Sequence, residues 1–207
     1  MILIDRSLGE FSKILGSKFP APGGGSVSAL AGAMGADLIS MVCRLSIGND
    51  EYKASQNLLE ESLEKAQILS RSLLKRIDLD SEAFNRVMAA FRMPKVTEQE
   101  KRARGDEIQA GFKEAVQSPL AIASECLEVL QLAKNLIGKF NTNAMSDFGV
   151  AALQAHAGLE GAVMNVRINL PSIRDEQFVK ETNHTVTHYL EEGSAIRDEV
   201  HTYVQEN

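Results

Sequence analysis

Residues 19–48 read FPAPGGGSVSALAGAMGADLISMVCRLSIG, and this stretch decides the fold. Two prolines and three consecutive glycines, Gly23, Gly24 and Gly25, form a segment that neither a helix nor a central strand tolerates. From Ser26 to about Gly48 almost every side chain is small or apolar, which predicts a helix apolar nearly all round. Such a helix belongs in a core. Its Gly32, Gly35 and Ala36 allow neighbouring backbones to approach closely.

The segments on either side follow the same period. Ser7 to Glu10 reads as a capping box opening a short helix up to Gly16. From about Tyr52 to Met93, Leu59, Leu63, Ala66, Leu69, Leu73 and Ile77 form a stripe against charged positions, with Asp78 and Asp80 either breaking the helix or facing inward. A further helix opens at Thr97 and is read as restarting at Ser118 and Pro119, since proline suits a first helical turn. Another, rich in small residues, spans about Ser146 to Leu170, and a polar amphipathic one runs from about Arg174 to Val204. No segment alternates as a strand, and no linker or repeat divides the chain. The expectation is an all-α, multi-helical bundle of long helices occupying 1–207 as one domain.

With 207 residues, 44% hydrophobic and 24% charged, the chain is long enough to bury a core without disulfides or a structural metal. Its net charge of -6 argues against a nucleic-acid partner, which would ask for clustered Lys and Arg. Cys43 and Cys126 show no CxxC spacing and read as core thiols of a reducing, cytoplasmic protein. The N-terminus lacks the pattern of a signal peptide, and Asp37 and Arg44 interrupt the most apolar stretch, so no membrane anchor is expected.

Four features invite chemistry. The glycine run is either a turn or a cradle for an anion at a helix N-terminus; it lacks the Gly-Lys-Ser/Thr of a Walker loop and the strand a dinucleotide fingerprint requires. Asp37, Arg44, Asn141, Asn143, Asp147, Asn165 and Asn169 are polar groups in or beside the least charged helices, open to both a structural and a functional reading. Asp78 and Asp80, followed by Phe84, Met88 and Lys95, are a carboxylate pair in a mostly apolar setting, suited to acid and base work or to a solvated break. His184 and His188 have a metal-ligand spacing without the accompanying glutamate and read as surface residues, and His156, among alanines, reads as core.

Three blocks carry a resemblance: Pro20 to Ala33 continuing through Met41 to Gly48; Asp80 to Phe84 with Val87 to Ala90 and Met93 to Lys95; and Asn141 to Asp147 with Asn165 to Leu170. In this order they resemble the cyclodeaminase/cyclohydrolase family. That family includes the C-terminal domain of formiminotransferase-cyclodeaminase and free-standing bacterial methenyltetrahydrofolate cyclohydrolases. The resemblance implies an all-helical homodimer, a tetrahydrofolate substrate, and neither metal nor redox cofactor. It extends to no formiminotransferase domain, so formimino transfer would fall to a separate formiminotransferase. Both family reactions move protons around an amidinium carbon, which makes Asp80 and Asp147 the candidate catalytic acids. Asp80 is preferred, because Asp147 lies near a helix start where an acid serves to cap. Asn141, Asn143 and Asn169 are candidates for the pterin edge. Arg44 and the Pro22, Gly23, Gly24, Gly25 and Ser26 segment are candidates for the substrate's carboxylate end. A folate binder without turnover and a helical dimerisation module are the competing readings.

Overall fold

The computed structural model describes residues 2–207. Six α-helices follow one another: α1 (Leu8–Leu15), α2 (Gly24–Ser46), α3 (Gln56–Arg92), α4 (Glu98–Leu136), α5 (Met145–Asn169) and α6 (Glu176–Glu206), with no strand among the described residues. Short 3-10 turns at Asp50–Ser55, Thr142–Ala144 and Leu170–Ser172 join them. The capping box expected at Ser7 and Glu10 is present, and Thr97 with Glu100 forms a second at the start of α4.

α2 lies in the middle, packed on α3, α4 and α5. The reason is the size of its side chains. A Cβ at Gly158 of α5 would stand 2.7 Å from the Ser28 carbonyl and 3.0 Å from the Gly32 nitrogen, and one at Gly35 would stand 2.9 Å from the Ala151 carbonyl. Only missing side chains let these two backbones touch. By length and composition α2 is also apolar enough to cross a membrane, despite Asp37 and Arg44; here most of it is enclosed by the other helices. One continuous apolar cluster draws on all six helices. Cys43 and Cys126 are buried and unpaired.

α3 and α4 form a long antiparallel pair, joined by Arg76 to Glu125 at 2.6 Å and by Arg86 to Glu114 at 2.6 Å. One boundary left open is decided, and another differs from expectation. α3 passes through Asp78 and Asp80 unbroken because both face inward: Asp78 accepts from the N–H groups of Leu3 (2.6 Å) and Ile4 (3.3 Å), tying down the N-terminal segment. α4 does not restart at Ser118 and Pro119 but continues through them. Proline at 119 has no N–H for the carbonyl of Ala115, four residues back. That carbonyl is met instead by the Asn169 side-chain amide of α5, at 3.2 Å. A tertiary contact thus replaces the missing helical bond. Smaller shifts occur at the ends: α2 begins at Gly24 rather than Ser26, and α6 begins at Glu176.

Candidate active site

The unbroken passage of α3 and α4 sets up a cleft of about 470 Å³ where the start of α2, the C-terminal part of α3, the middle of α4 and the end of α5 meet. One wall is a helical stripe of α3: Asp80, Phe84, Val87, Met88 and Phe91. Facing it are Phe112, Ala115 and Pro119 of α4. Gly23, Gly24 and Gly25 close one end, and Asn165, Ile168 and Asn169 come from the last turns of α5.

Asp80 is the single ionisable side chain in this lining among the described residues. It rests against the first turn of α2 so closely that a Cβ on Gly25 would collide with its carboxylate. Burial raises its pKa above the ordinary carboxylate value of 3.8, while hydrogen bonds from the Ser26 hydroxyl and backbone pull it part of the way back. Ser26 is buried, and its hydroxyl has two acceptors in reach, the Ile77 carbonyl at 2.9 Å and Asp80 Oδ2 at 3.4 Å. The Ser81 hydroxyl stands 3.3 Å away. Gly23, at the cap position of α2, offers no side-chain acceptor, and of the first-turn N–H groups that of Ser26 acts on the Asp80 carboxylate.

The two cleft asparagines are oriented by their own donors. Asn165 Nδ2 donates to the Gly161 carbonyl at 2.7 Å, and Asn169 Nδ2 to those of Asn165 (2.9 Å) and Ala115 (3.2 Å). Their Oδ1 atoms have no partner among the described residues and remain as acceptors.

The structure brings together Gly23, Gly24, Gly25, Ser26, Asp80 and Asn169 from the candidate site named on sequence grounds, joins to them Asn165, Phe84 and Met88, which the sequence singled out without a role, and adds Val87, Phe91 and Phe112. Pro22 is buried outside the lining. Arg44, Asn141, Asn143 and Asp147 do not join this cleft. Twenty residues of helix separate Gly24 from Arg44, about 30 Å. Arg44 lines a separate groove with Asp37, Gln67 and Arg71. Asn141 is occupied structurally: its N–H donates to Ser46 Oγ (2.8 Å), its side chain donates to the Leu45 carbonyl (3.1 Å) and accepts from the Asn143 N–H (3.0 Å). Asp147 lies in the first turn of α5 without making a side-chain cap. Asp78 is taken up by the N-terminal segment, away from Asp80.

His184 and His188 are exposed on α6, and His156 is buried with Nε2 3.2 Å from Ser194 Oγ. No group of three His, Cys, Asp or Glu side chains that could hold a metal occurs among the described residues. The one spacing signal that could have found the aromatic wall is the repeat of three or four residues from Asp80 through Phe84, Val87 and Met88 to Phe91. The bond from Asn169 to Ala115 left no such signal, because its partners are 54 residues apart.

Residues 7–188 match the family model described as formiminotransferase-cyclodeaminase. The methenyltetrahydrofolate cyclohydrolase of Methylorubrum extorquens is 42% identical over 191 residues, 92% of each chain. The formimidoyltransferase-cyclodeaminase of Gallus gallus is 36% identical over 197 residues, 94% of this chain but 36% of that one, so the chain spans about a third of that relative's length. Among solved structures, the formiminotetrahydrofolate cyclodeaminase of Thermotoga maritima superposes with a TM-score of 0.89 at 27% identity, covering 98% of this chain and 97% of the other.

Proposed function

This chain belongs to the formiminotransferase-cyclodeaminase family and is an enzyme of folate one-carbon chemistry, and on that premise we propose that it hydrolyses methenyltetrahydrofolate in the Asp80 cleft. The observation that carries this reading is a half-buried carboxylate as the sole ionisable group of an otherwise neutral, largely apolar cleft. Such a site favours a cation of matching size, and the amidinium of the methenyl substrate is one. The 42% identity to a cyclohydrolase over nearly the whole of both chains supports the same choice.

Water adds to the amidinium carbon, forming a carbon–oxygen bond, and its proton passes to the Asp80 carboxylate. The uncharged carbinolamine then opens: one carbon–nitrogen bond breaks, Asp80 returns its proton to the departing nitrogen, and the hydroxyl proton leaves to solvent. The net result is formyltetrahydrofolate and one proton. The raised pKa suits a group that must both take and give a proton. The Oδ1 atoms of Asn165 and Asn169 accept from the N–H groups of the pterin. The aromatic wall flanks the rest of the molecule. Addition and elimination of this kind draw on no metal or redox cofactor in our reading.

The structural likeness to a cyclodeaminase favours a second reaction at the same carboxylate, in which a folate nitrogen displaces ammonia from a formimino carbon. Formimino transfer itself is assigned to a separate formiminotransferase, and the working place is taken to be the cytoplasm, with 1–207 acting as one domain. Incubation with methenyltetrahydrofolate tests the main reading. Bleaching of the chromophore above the buffer rate is expected; protection without turnover would leave a folate binder. Ammonia release from formiminotetrahydrofolate tests the second.

We propose further that the enzyme is a homodimer through α2 and α5. Val27, Met34 and Leu45 on α2, with Val150, Leu153, Met164 and Ile168 on α5, are exposed at helical spacing, the last two at 67% and 76%. Two adjacent helices of this length present roughly 700 Å², close to the 800 Å² per partner of a standard interface. Met164→Glu should yield a monomer by light scattering; an unchanged mass, or a monomeric parent, would contradict the assignment.

A further inference from the structure

Just beyond the cleft lining, against its outermost residue Phe91, stands a cation, Arg104. The α4 residues that line the cleft, Pro119, Ala115 and Phe112, continue through Ile108 to Arg104 at intervals of three and four, one face of the helix. The guanidinium of Arg104 lies 5.6 Å from the ring centroid of Phe91, the outermost residue of the opposite wall. It donates to the Phe91 carbonyl through Nε (3.4 Å) and Nη2 (3.2 Å). No carboxylate pairs with it among the described residues. The acids one turn away on α4 are engaged elsewhere: Glu100 accepts from the N–H groups of Val96 and Thr97, and Glu107 faces Arg86.

Resting on the folate reading above, we infer that Arg104 binds the glutamate carboxylate of the substrate and sets the preference for a glutamylated pterin. The dimensions agree. From Asp80 to Phe91 the wall advances eleven residues, about 16 Å along α3. In a tetrahydrofolate the reacting carbon and the glutamate carboxylates are separated by the aminobenzoyl ring and an amide, roughly 11–14 Å by ordinary bond lengths. With the one-carbon bridge at Asp80, the benzoyl ring falls between Met88, Phe91 and Phe112, and the carboxylates reach the guanidinium. Nη1 makes no hydrogen bond among the described residues, and a planar fork over an aromatic edge is suited to a carboxylate. Arg44, named for this duty on sequence grounds, is at the opposite end of α2.

The experiment compares equilibrium binding of 5-formyltetrahydrofolate with that of 5-formyltetrahydropteroate, the same molecule without glutamate. The parent protein should prefer the glutamylated ligand, and the preference should shrink as salt is raised. Arg104→Gln should weaken 5-formyltetrahydrofolate about tenfold or more and leave the pteroate within twofold; Arg104→Lys should fall between. Equal weakening of both ligands, the result expected if Arg104 only caps α3, would overturn the inference. So would an unchanged preference in Arg104→Gln, or a salt-independent preference in the parent should the variant fail to fold. A parent protein that binds neither ligand would instead overturn the folate reading itself.

Discussion

The two ends of the α2 and α5 pair carry similar residues and bond them differently. At one end Asp80, Asn165 and Asn169 surround the start of α2; at the other Asn141, Asn143 and Asp147 surround the start of α5. Asn141 directs its backbone N–H and both ends of its amide to protein partners, and so closes a chain connection. Asn165 and Asn169 direct only their donors inward and keep an acceptor each for the cleft. Polarity beside a helix start is therefore no sign of a site by itself. What separates the ends is hydrogen-bonding capacity left unsatisfied next to a half-buried charge.

The sharpest way to break this contrast is to neutralise an acid at each end. Asp80→Asn should lower kcat by between about a hundredfold and ten-thousandfold, whereas Asp147→Asn should change it by no more than about twofold. Steady-state kinetics showing the reverse order would move the chemistry to the other end. The same substitution should raise, not lower, the melting temperature at neutral pH. The folded Asp80 holds its proton more tightly than the unfolded chain does, so ionisation between the ordinary value of 3.8 and its raised folded value removes stability as pH climbs. A fall in Tm for a properly folded Asp80→Asn protein would show that the carboxylate is held by compensating bonds.

Next in size is the helix start. Gly25→Ala should reduce kcat by tens of fold, up to roughly a hundredfold, because its Cβ displaces the Asp80 carboxylate. Gly24→Val should follow, since a Cβ there stands 2.9 Å from Asn165 Nδ2. Gly48→Ala, at the other end of the same helix, meets nothing within 4 Å, and its positive φ makes it a matter of stability alone. Near-normal turnover in folded Gly25→Ala would return the glycine run to an ordinary turn.

A finer test is pH. The acid limb of kcat/KM should lie above the ordinary carboxylate range, and Ser26→Ala should move it higher still, because the hydroxyl bond it removes lowers the Asp80 pKa. An acid limb that stays put would detach Ser26 from the proton transfer. The smallest effect on activity belongs to the far end. Asn141→Ala should cost about 1 kcal/mol of stability, a few degrees of Tm, with kcat/KM within about twofold once folded.

The sequence by itself determined a good deal here. Helical periodicity and the absence of alternation fixed an all-α protein, the small residues of α2 placed it at the centre, and the three blocks pointed to the family. Those signals are local or ordered along the chain, and local chemistry enforces them: glycine and proline end helices, and an apolar helix must be covered. Tertiary structure alone decided the rest. Spacing could not show that Pro119 leaves α4 unbroken, since the amide that satisfies Ala115 comes from Asn169 on another helix. The helix start beside Asp147 already favoured Asp80, but spacing could not separate Asn169 from Asn141, which are the same residue type beside similar apolar runs. Their difference is which hydrogen bonds and how much water remain after α3, α4 and α5 pack around α2, and that depends on partners distant in sequence.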